Sequence, residues 1–507
     1  MHGIVIAGTH SGCGKTTTTL GILAALKKKG LNVQSFKAGP DFIDAGLHKI
    51  ITGRPSINLD LWMCGEDYVR SSYNRHSAGS DVSVIEGVMG LYDGRFSTAT
   101  LAKALNLPVL LVVDAYGMAE SAGAVVKGYA EFGVRNAGYG SLNSELRTPM
   151  GRRPNSELFF AGVIFNRVAS ENHFKRLKES VHDIPVLGYL PRDLSFEIPH
   201  RHLGLTTAEE TPISEENIQK LADTILRHVD IDAILKLSSN ITVLSFPPYG
   251  SRPTGHRLAG HRLVEESFPE EGLRRSSTSE DRLCRNDRTA KIALAYDKAF
   301  SFYYEDNLNL LKEAGADIIR FSPISDKTIP EGVDAIYIGG GYPELYAEEL
   351  SKNEPMLRSI SDWAESGKPL YAECGGLMFL SQGIYDFDGR FFRMSGVFPF
   401  ETAMSRGRSK IGYREIVLKG DCILGRKGES VRGHEFHYSE VKIEKWEVRD
   451  KIYSLYDNSG NKLGDEGYAS KNTLASYVHV HFGSCKNIAE NFAGFRGNPL
   501  PDVSRSA

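Results

Sequence analysis

Two places in this sequence combine residue types and spacings that could do chemistry. The first is Gly8-Thr9-His10-Ser11-Gly12-Cys13-Gly14-Lys15-Thr16. A glycine-rich turn between an apolar run and a helical one aims its backbone N–H groups, and a helix N-terminus, at phosphate oxygens. Thr9, His10, Ser11, Gly12, Cys13 and Gly14 would line this phosphate loop. Lys15 would meet the β- and γ-phosphates of ATP, and the Thr16 hydroxyl would ligate Mg2+. The usual pattern has glycine at position 9; this chain has threonine there and its glycine one residue earlier. Acids at later strand ends should complete the magnesium site, and Asp41 and Glu86 are the candidates. Asp44 and Asp93, in the same glycine-flanked segments, are candidate catalytic acids, with helix capping the alternative for Asp44. Lys37 is a second candidate phosphate contact, because a transferring phosphoryl group needs several cations around it.

The second place is Leu370-Tyr371-Ala372-Glu373-Cys374-Gly375-Gly376. A cysteine on a tight strand-to-helix turn is exposed as a nucleophile, and the helix dipole is expected to lower its pKa. Hydrolysis of glutamine by such a thiol needs a histidine that takes its proton and later protonates departing ammonia. His479 and His481 lie two apart on one face of a late strand; His479 is favoured as the base, with His481 close behind. Backbone N–H groups of Gly340, Gly341 and Gly375 are candidates for an oxyanion hole. The other cysteines lack such surroundings and read as structural.

The elements that must position these residues are those of alternating strands and helices. Strands are expected at 4–7, 33–36, 82–85, 109–113 and 162–165, with amphipathic helices at 17–29 and 121–132. The alternation resumes with strands at 291–295, 318–321, 335–338 and 369–372 and a helix at 307–314. An N-terminal P-loop parallel-sheet domain is therefore expected at 1–236, with a surface insertion at about 136–158. A linker at 237–290 follows, rich in Pro, Gly, Ser, Arg and Glu; its arginines gripping an anion is the alternative reading. A second α/β domain, of the class I glutaminase type, is expected at 291–500.

Composition excludes several classes of function. A net charge of −3 gives no basic field for nucleic acid, and no apolar run nears the ~20 residues that span a bilayer. Six scattered cysteines without zinc spacing argue against a disulfide framework and for a reducing, cytoplasmic setting. The first residues read as a strand rather than as a leader.

The chain resembles the cobyrinic acid a,c-diamide synthase family over nearly its whole length. The motifs that carry the resemblance in the first half are the loop at 8–16, the segment 37–44 with His48, Thr52-Gly53-Arg54-Pro55 leading to Asn58-Leu59-Asp60, and the segment 86–94. Phe165-Asn166-Arg167-Val168 and Arg201-His202-Leu203-Gly204-Leu205 follow. The second half adds 339–344, 373–376, Gly412-Tyr413-Arg414, Gly433-His434-Glu435-Phe436-His437-Tyr438-Ser439 and 479–482. The offset loop is similar to that of dethiobiotin synthetase and its relatives, which phosphorylate carboxyl-type groups. Partitioning ATPases of that superfamily have lysine where this chain has His10.

The resemblance implies ATP- and Mg2+-dependent amidation of the a and c acetate groups of a corrin, with glutamine as nitrogen donor. The same amidation of sirohydrochlorin, its nickel complex or sirohaem is the nearest alternative; a non-catalytic nucleotide-binding regulator is the second. The implied partners are glutamine and a polycarboxylate tetrapyrrole, with homodimerisation left open. Arg201 and His202 are candidates for the substrate's carboxylates, and Asn166 matches the residue that contacts adenine in the dethiobiotin synthetase relatives. One departure stands out: no glutamate follows the histidines in the His-Pro-Glu manner of many triad glutaminases.

Overall fold

Strands whose every residue is buried need a sheet covered on both faces, and Val33–Ala38 and Val82–Glu86 are of that kind. The computed structural model describes residues 2–135, 158–192, 213–239, 289–407, 409–442 and 451–495. Residues 136–157 of the expected insertion and 240–288 of the expected linker lie outside them, as do Arg201 and His202.

The first sheet comprises β1 (His2–Gly8), β2 (Val33–Ala38), β3 (Ile57–Leu59), β4 (Val82–Glu86), β5 (Val109–Asp114), β6 (Phe160–Val168) and β7 (Val186–Pro191), in the spatial order β3-β2-β4-β1-β5-β6-β7. All of its pairings are parallel. Helix α1 (Lys15–Lys28) covers one face, packing Leu20, Ile22 and Leu23 against Ile4, Val84 and Val112. The chain leaves β1 to one side through β2 to β4, then crosses to the other at β5, so β1 ends at the crevice where such sheets bind ligands.

The second sheet is mixed. Strands β8 (Ala290–Ala295), β9 (Ala316–Phe321), β10 (Ala335–Ile338) and β11 (Leu370–Glu373) form its parallel part. A small separate sheet follows, made of β12 (Gly383–Tyr385), β13 (Phe391–Arg393), β14 (Glu401–Met404) and, later in the chain, β17 (Ser439–Lys442). The remaining strands of the large sheet are β15 (Lys410–Leu418), β16 (Ser430–His437), β18 (Lys451–Tyr456), β19 (Lys462–Ser470), β20 (Thr473–Ser476) and β21 (His479–Val480); of these only the late strand of His479 is among those expected from the sequence. Strand β20 pairs parallel with β11, and from β19 outward the pairings are antiparallel, ending at β16 and β21. β15 and β19 are exposed or half-buried over most of their length, a weaker signal than a continuous apolar run.

Helices α2 (Phe42–Thr52) and α3 (Leu61–Ser77) of the first unit face the second unit. Asp306, buried in helix Glu305–Glu313, accepts from Tyr68 Oη at 2.9 Å and Ser72 Oγ at 2.6 Å, and lies 2.6 Å from His76 Nε2. Burial opposes its charge, but the bond to His76 and the charge there outweigh burial and hold its carboxyl below the usual range. Tyr413 Oη donates to Asp60 Oδ2 at 2.6 Å, and Arg432 Nη1 donates to Trp62 O at 3.1 Å.

Candidate active sites

The phosphate loop leaves β1 at Gly8 and re-enters regular structure at Lys15. Gly14 has φ +98°, and a Cβ there would stand 1.9 Å from Asn166 Nδ2, so glycine is required twice over. The offset glycine is explained by packing: a Cβ on Gly8 would stand 2.2 Å from Cys13 Sγ. Cys13 is fully buried beneath the loop and Gly8 makes its room. His10 and Ser11 are at the exposed tip, with Gly12. Thr9 O accepts from Tyr129 Oη, Gly12 O from Arg167 Nη2 at 3.2 Å, and Cys13 O from Asn166 Nδ2 at 3.0 Å. The Asn166 amide thus braces the loop. Arg167, also paired with Asp114 at 2.6 Å, and Tyr129 were not singled out from the sequence.

Beyond the loop a buried charge cluster closes the crevice. Thr16 Oγ1 donates to Glu86 Oε1 at 2.7 Å. Lys37 Nζ lies 3.0 Å from that same oxygen and 2.6 Å from Asp44 Oδ2. His48 Nε2 is 2.7 Å from Glu86 Oε2. Burial opposes the Lys37 charge, yet Glu86, Asp44 and Asp41 outweigh it and raise its pKa above the lysine range. Burial likewise opposes the Glu86 charge, and Lys37 reverses that, lowering its pKa. Among the described residues Lys15 makes no salt bridge: burial lowers its pKa, with Glu86 and Asp44 acting the other way from a distance, and its ammonium donates to His10 O at 3.3 Å. A lysine without an acid in direct contact suits an incoming phosphate.

Three of the candidate acids make contacts within the protein. Asp41, the metal candidate, caps α2: its Oδ1 accepts from Ile43 N and Asp44 N, both at 3.0 Å. The capping considered for Asp44 belongs to Asp41, and Asp44 neutralises Lys37 instead. Asp93 Oδ2 accepts from Gly90 N at 2.8 Å, closing a turn against the loop at Thr9. Glu86 is left as the acid beside Thr16.

In the second unit, β10, β11 and β20 end side by side. Cys374 follows β11 with φ 48° and ψ −102°, a strained turn for a residue with a side chain. Its Sγ lies 3.8 Å from Phe436 O. Burial pushes its thiol up, further raised by Glu344, although the Gly375 N–H pulls the other way. The expected lowering by the helix end is outweighed, so the thiol rests protonated and a base must ionise it.

His479 pairs with His434 across β21 and β16. Burial lowers its pKa to about 3, so it is a neutral base. Gly340, taken for an oxyanion donor, has its N–H committed to Phe302 O at 3.2 Å. Its function is spatial, since a Cβ there would stand 2.2 Å from His479 Cε1. Gly341 N lies 3.1 Å from where a Cβ of Gly375 would be, so these two N–H-bearing glycines adjoin beside Cys374. Gly340→Ala should displace the His479 ring and cut glutamine hydrolysis by about 10²-fold or more, while ammonia-driven turnover survives; parallel steady-state assays with the two nitrogen donors test this.

His481 sits elsewhere. Its Nδ1 accepts from Gly483 N at 3.1 Å and its ring packs on Tyr304 and Tyr68. Two unforeseen residues fix this strand and its surroundings. Asn307 bonds Val480 O at 2.8 Å and Phe482 N at 2.7 Å. His437 lies 2.7 Å from both Ser439 O and Glu435 Oε1, and Glu435 accepts from Arg414 at 2.5 Å.

Two family models match the chain: a CobQ/CobB/MinD/ParA nucleotide binding domain at residues 4–205 and a CobB/CobQ-like glutamine amidotransferase domain at 291–486. A cobyrinate a,c-diamide synthase of Caldanaerobacter subterraneus subsp. tengcongensis is 40% identical over 96% of this chain and 97% of its own. The chain belongs to the cobyrinate a,c-diamide synthase family. Enzymes of that name from Syntrophotalea carbinolica (40% identity, 97% of this chain, 98% of that one) and Listeria monocytogenes (41%, 95% and 96%) match alike. Membership accounts for the pairing of a nucleotide loop with a cysteine glutaminase in one chain. Among the described residues, no helix is long and apolar enough to cross a membrane.

Proposed function

We propose that this chain is a cytoplasmic ligase that uses ATP, Mg2+ and glutamine to amidate the a and c acetate groups of cobyrinate. The observation that carries this reading is Phe42. It opens α2 between Asp41 and Asp44, and its ring centroid lies 5.2 Å from that of His479, 5.5 Å from His434 and 5.3 Å from Phe302. The phosphate-side cluster and the glutaminase histidine therefore share one wall, as a transfer of ammonia between them requires.

In the second unit His479 takes the Cys374 proton, and the thiolate attacks the glutamine carboxamide. Gly341 and Gly375 N–H groups face the developing oxyanion. His479 returns the proton to the leaving nitrogen, releasing ammonia and a thioester that water converts to glutamate. In the first unit Lys15 and the loop hold ATP while its γ-phosphoryl group passes to the substrate carboxylate. Ammonia then displaces phosphate from the acyl phosphate to give the amide. Thr16 and Glu86, joined at 2.7 Å, would hold Mg2+, whose shell phosphate and water oxygens would complete. Bound there, Mg2+ would neutralise charge on the transferring phosphoryl group.

A mass-spectrometric assay with ATP and glutamine, offering cobyrinate, sirohydrochlorin and its metal complexes side by side, tests the reading. Two successive amidations of cobyrinate are expected; amidation confined to another ring would overturn the substrate assignment. Phe42→Ala is expected to open the shared wall, so that amides formed per glutamine hydrolysed fall from near one to below about one half.

A further inference from the structure

Resting on the glutaminase reading, we propose that Glu373, the residue immediately before Cys374, is the positioning carboxylate of His479, replacing the glutamate that His-Pro-Glu glutaminases carry two residues after the histidine. In this chain that position is His481, turned away toward Tyr304 and Tyr68.

Among the described residues, Glu373 is the buried carboxylate paired with His479. Glu435 is taken by Arg414 and His437, and Asp306 by Tyr68, Ser72 and His76. Glu373 is 1% exposed, and its Oε2 lies 3.8 Å from His479 Nδ1. That nitrogen is buried and has no hydrogen-bond partner. A buried imidazole nitrogen left unpaired beside a carboxylate oxygen is an arrangement waiting to close, and catalytic hydrogen bonds are often long until substrate binds.

Glu373 is itself firmly held. Oε1 accepts from Tyr371 Oη at 2.7 Å and Val480 N at 2.9 Å, and Oε2 accepts from Tyr337 Oη at 2.9 Å. The bond to Val480 N also anchors the residue next to His479. With Nδ1 turned to the Glu373 carboxylate, the His479 ring has Nε2 left to serve the thiol. Accepting from Nδ1–H leaves the Nε2 lone pair for the thiol proton and steadies the imidazolium that forms. Besides Tyr337, Tyr371 and His479, the titratable groups that interact with Glu373 are Tyr303, Tyr304, Tyr453 and Cys374. Burial pushes the Glu373 carboxyl up to about 7, whereas His479 stays neutral down to about 3. Glutaminase activity is therefore expected to rise with pH near neutrality as Glu373 ionises.

Glu373→Gln keeps the shape but places an N–H donor opposite Nδ1, which favours the wrong tautomer. The expected result is a fall in kcat for glutamine hydrolysis of about 10²–10⁴-fold, KM for glutamine little changed, and loss of the rise near pH 7. Ammonia-dependent amidation should persist. Wild-type kcat with an unaltered pH profile in Glu373→Gln would overturn the proposal. If wild-type protein hydrolyses no glutamine, the glutaminase reading fails as well. Should the variant not fold, 15N NMR of histidine-labelled wild-type protein decides: a proton on Nδ1 of His479 supports the assignment, and a proton on Nε2 alone overturns it.

Discussion

Cys374→Ala loses glutamine hydrolysis by roughly 10⁵–10⁶-fold, the scale seen when a nucleophile is removed from a triad-type enzyme, and still forms amides from free ammonia. The two chemistries sit in separate sheets, so deleting the thiol removes only the nitrogen source. Ammonia supplied from solution must be tested at raised pH, where more of it is unprotonated. Equal loss with both donors would sink the two-site reading. A companion variant separates function from strain. A side chain held at φ 48° and ψ −102° costs about 1–3 kcal/mol, which glycine does not pay. Cys374→Gly should therefore be as inactive as Cys374→Ala yet melt at a higher temperature, a comparison that calorimetry makes directly.

How far the site could be read in advance depended on sequence separation. The first sheet and the parallel part of the second were legible because doubly covered strands are short apolar runs, such as Val109–Asp114 and Ala335–Ile338. Lys15, Thr16, Glu86 and Cys374 drew notice in the sequence because each lies in or next to a glycine-containing turn that follows a strand. Asp41 misled, although its signal was available: an Asp just before an apolar helical start is a capping residue, as Asp60 is for α3. His48, noted only as part of a motif, could have been placed beside the cluster, since it lies four residues after Asp44 on one face of α2. Glu373, Phe42 and Asn307 could not, because their partners lie in strands or domains far along the chain. Burial, the deciding quantity for the Cys374 thiol, likewise comes from packing that no local pattern records.

Lys15→Ala and Lys37→Ala should both stop ATP-dependent amidation, but only the second should damage the fold. Lys15 donates to a single backbone carbonyl, and burial already disfavours its charge, so removing it relieves a desolvated cation. Its loss should lower amidation by about 10²–10³-fold or more, because a cation aimed at the transferring phosphoryl group is gone. Glutamine hydrolysis should remain measurable and the melting temperature should stay within about 2 °C. Lys37 is different: it sits between Asp44 and Glu86 at 2.6 and 3.0 Å, and its loss leaves two buried carboxylates without their cation. Breaking such a pair costs about 3–5 kcal/mol. The double variant Lys37→Met with Asp44→Asn removes one charge of each sign and should recover much of that loss without recovering activity. Melting curves of the four proteins decide the matter. If Lys15→Ala unfolds as readily as Lys37→Ala, Lys15 belongs to the structural cluster and its assignment to phosphate fails.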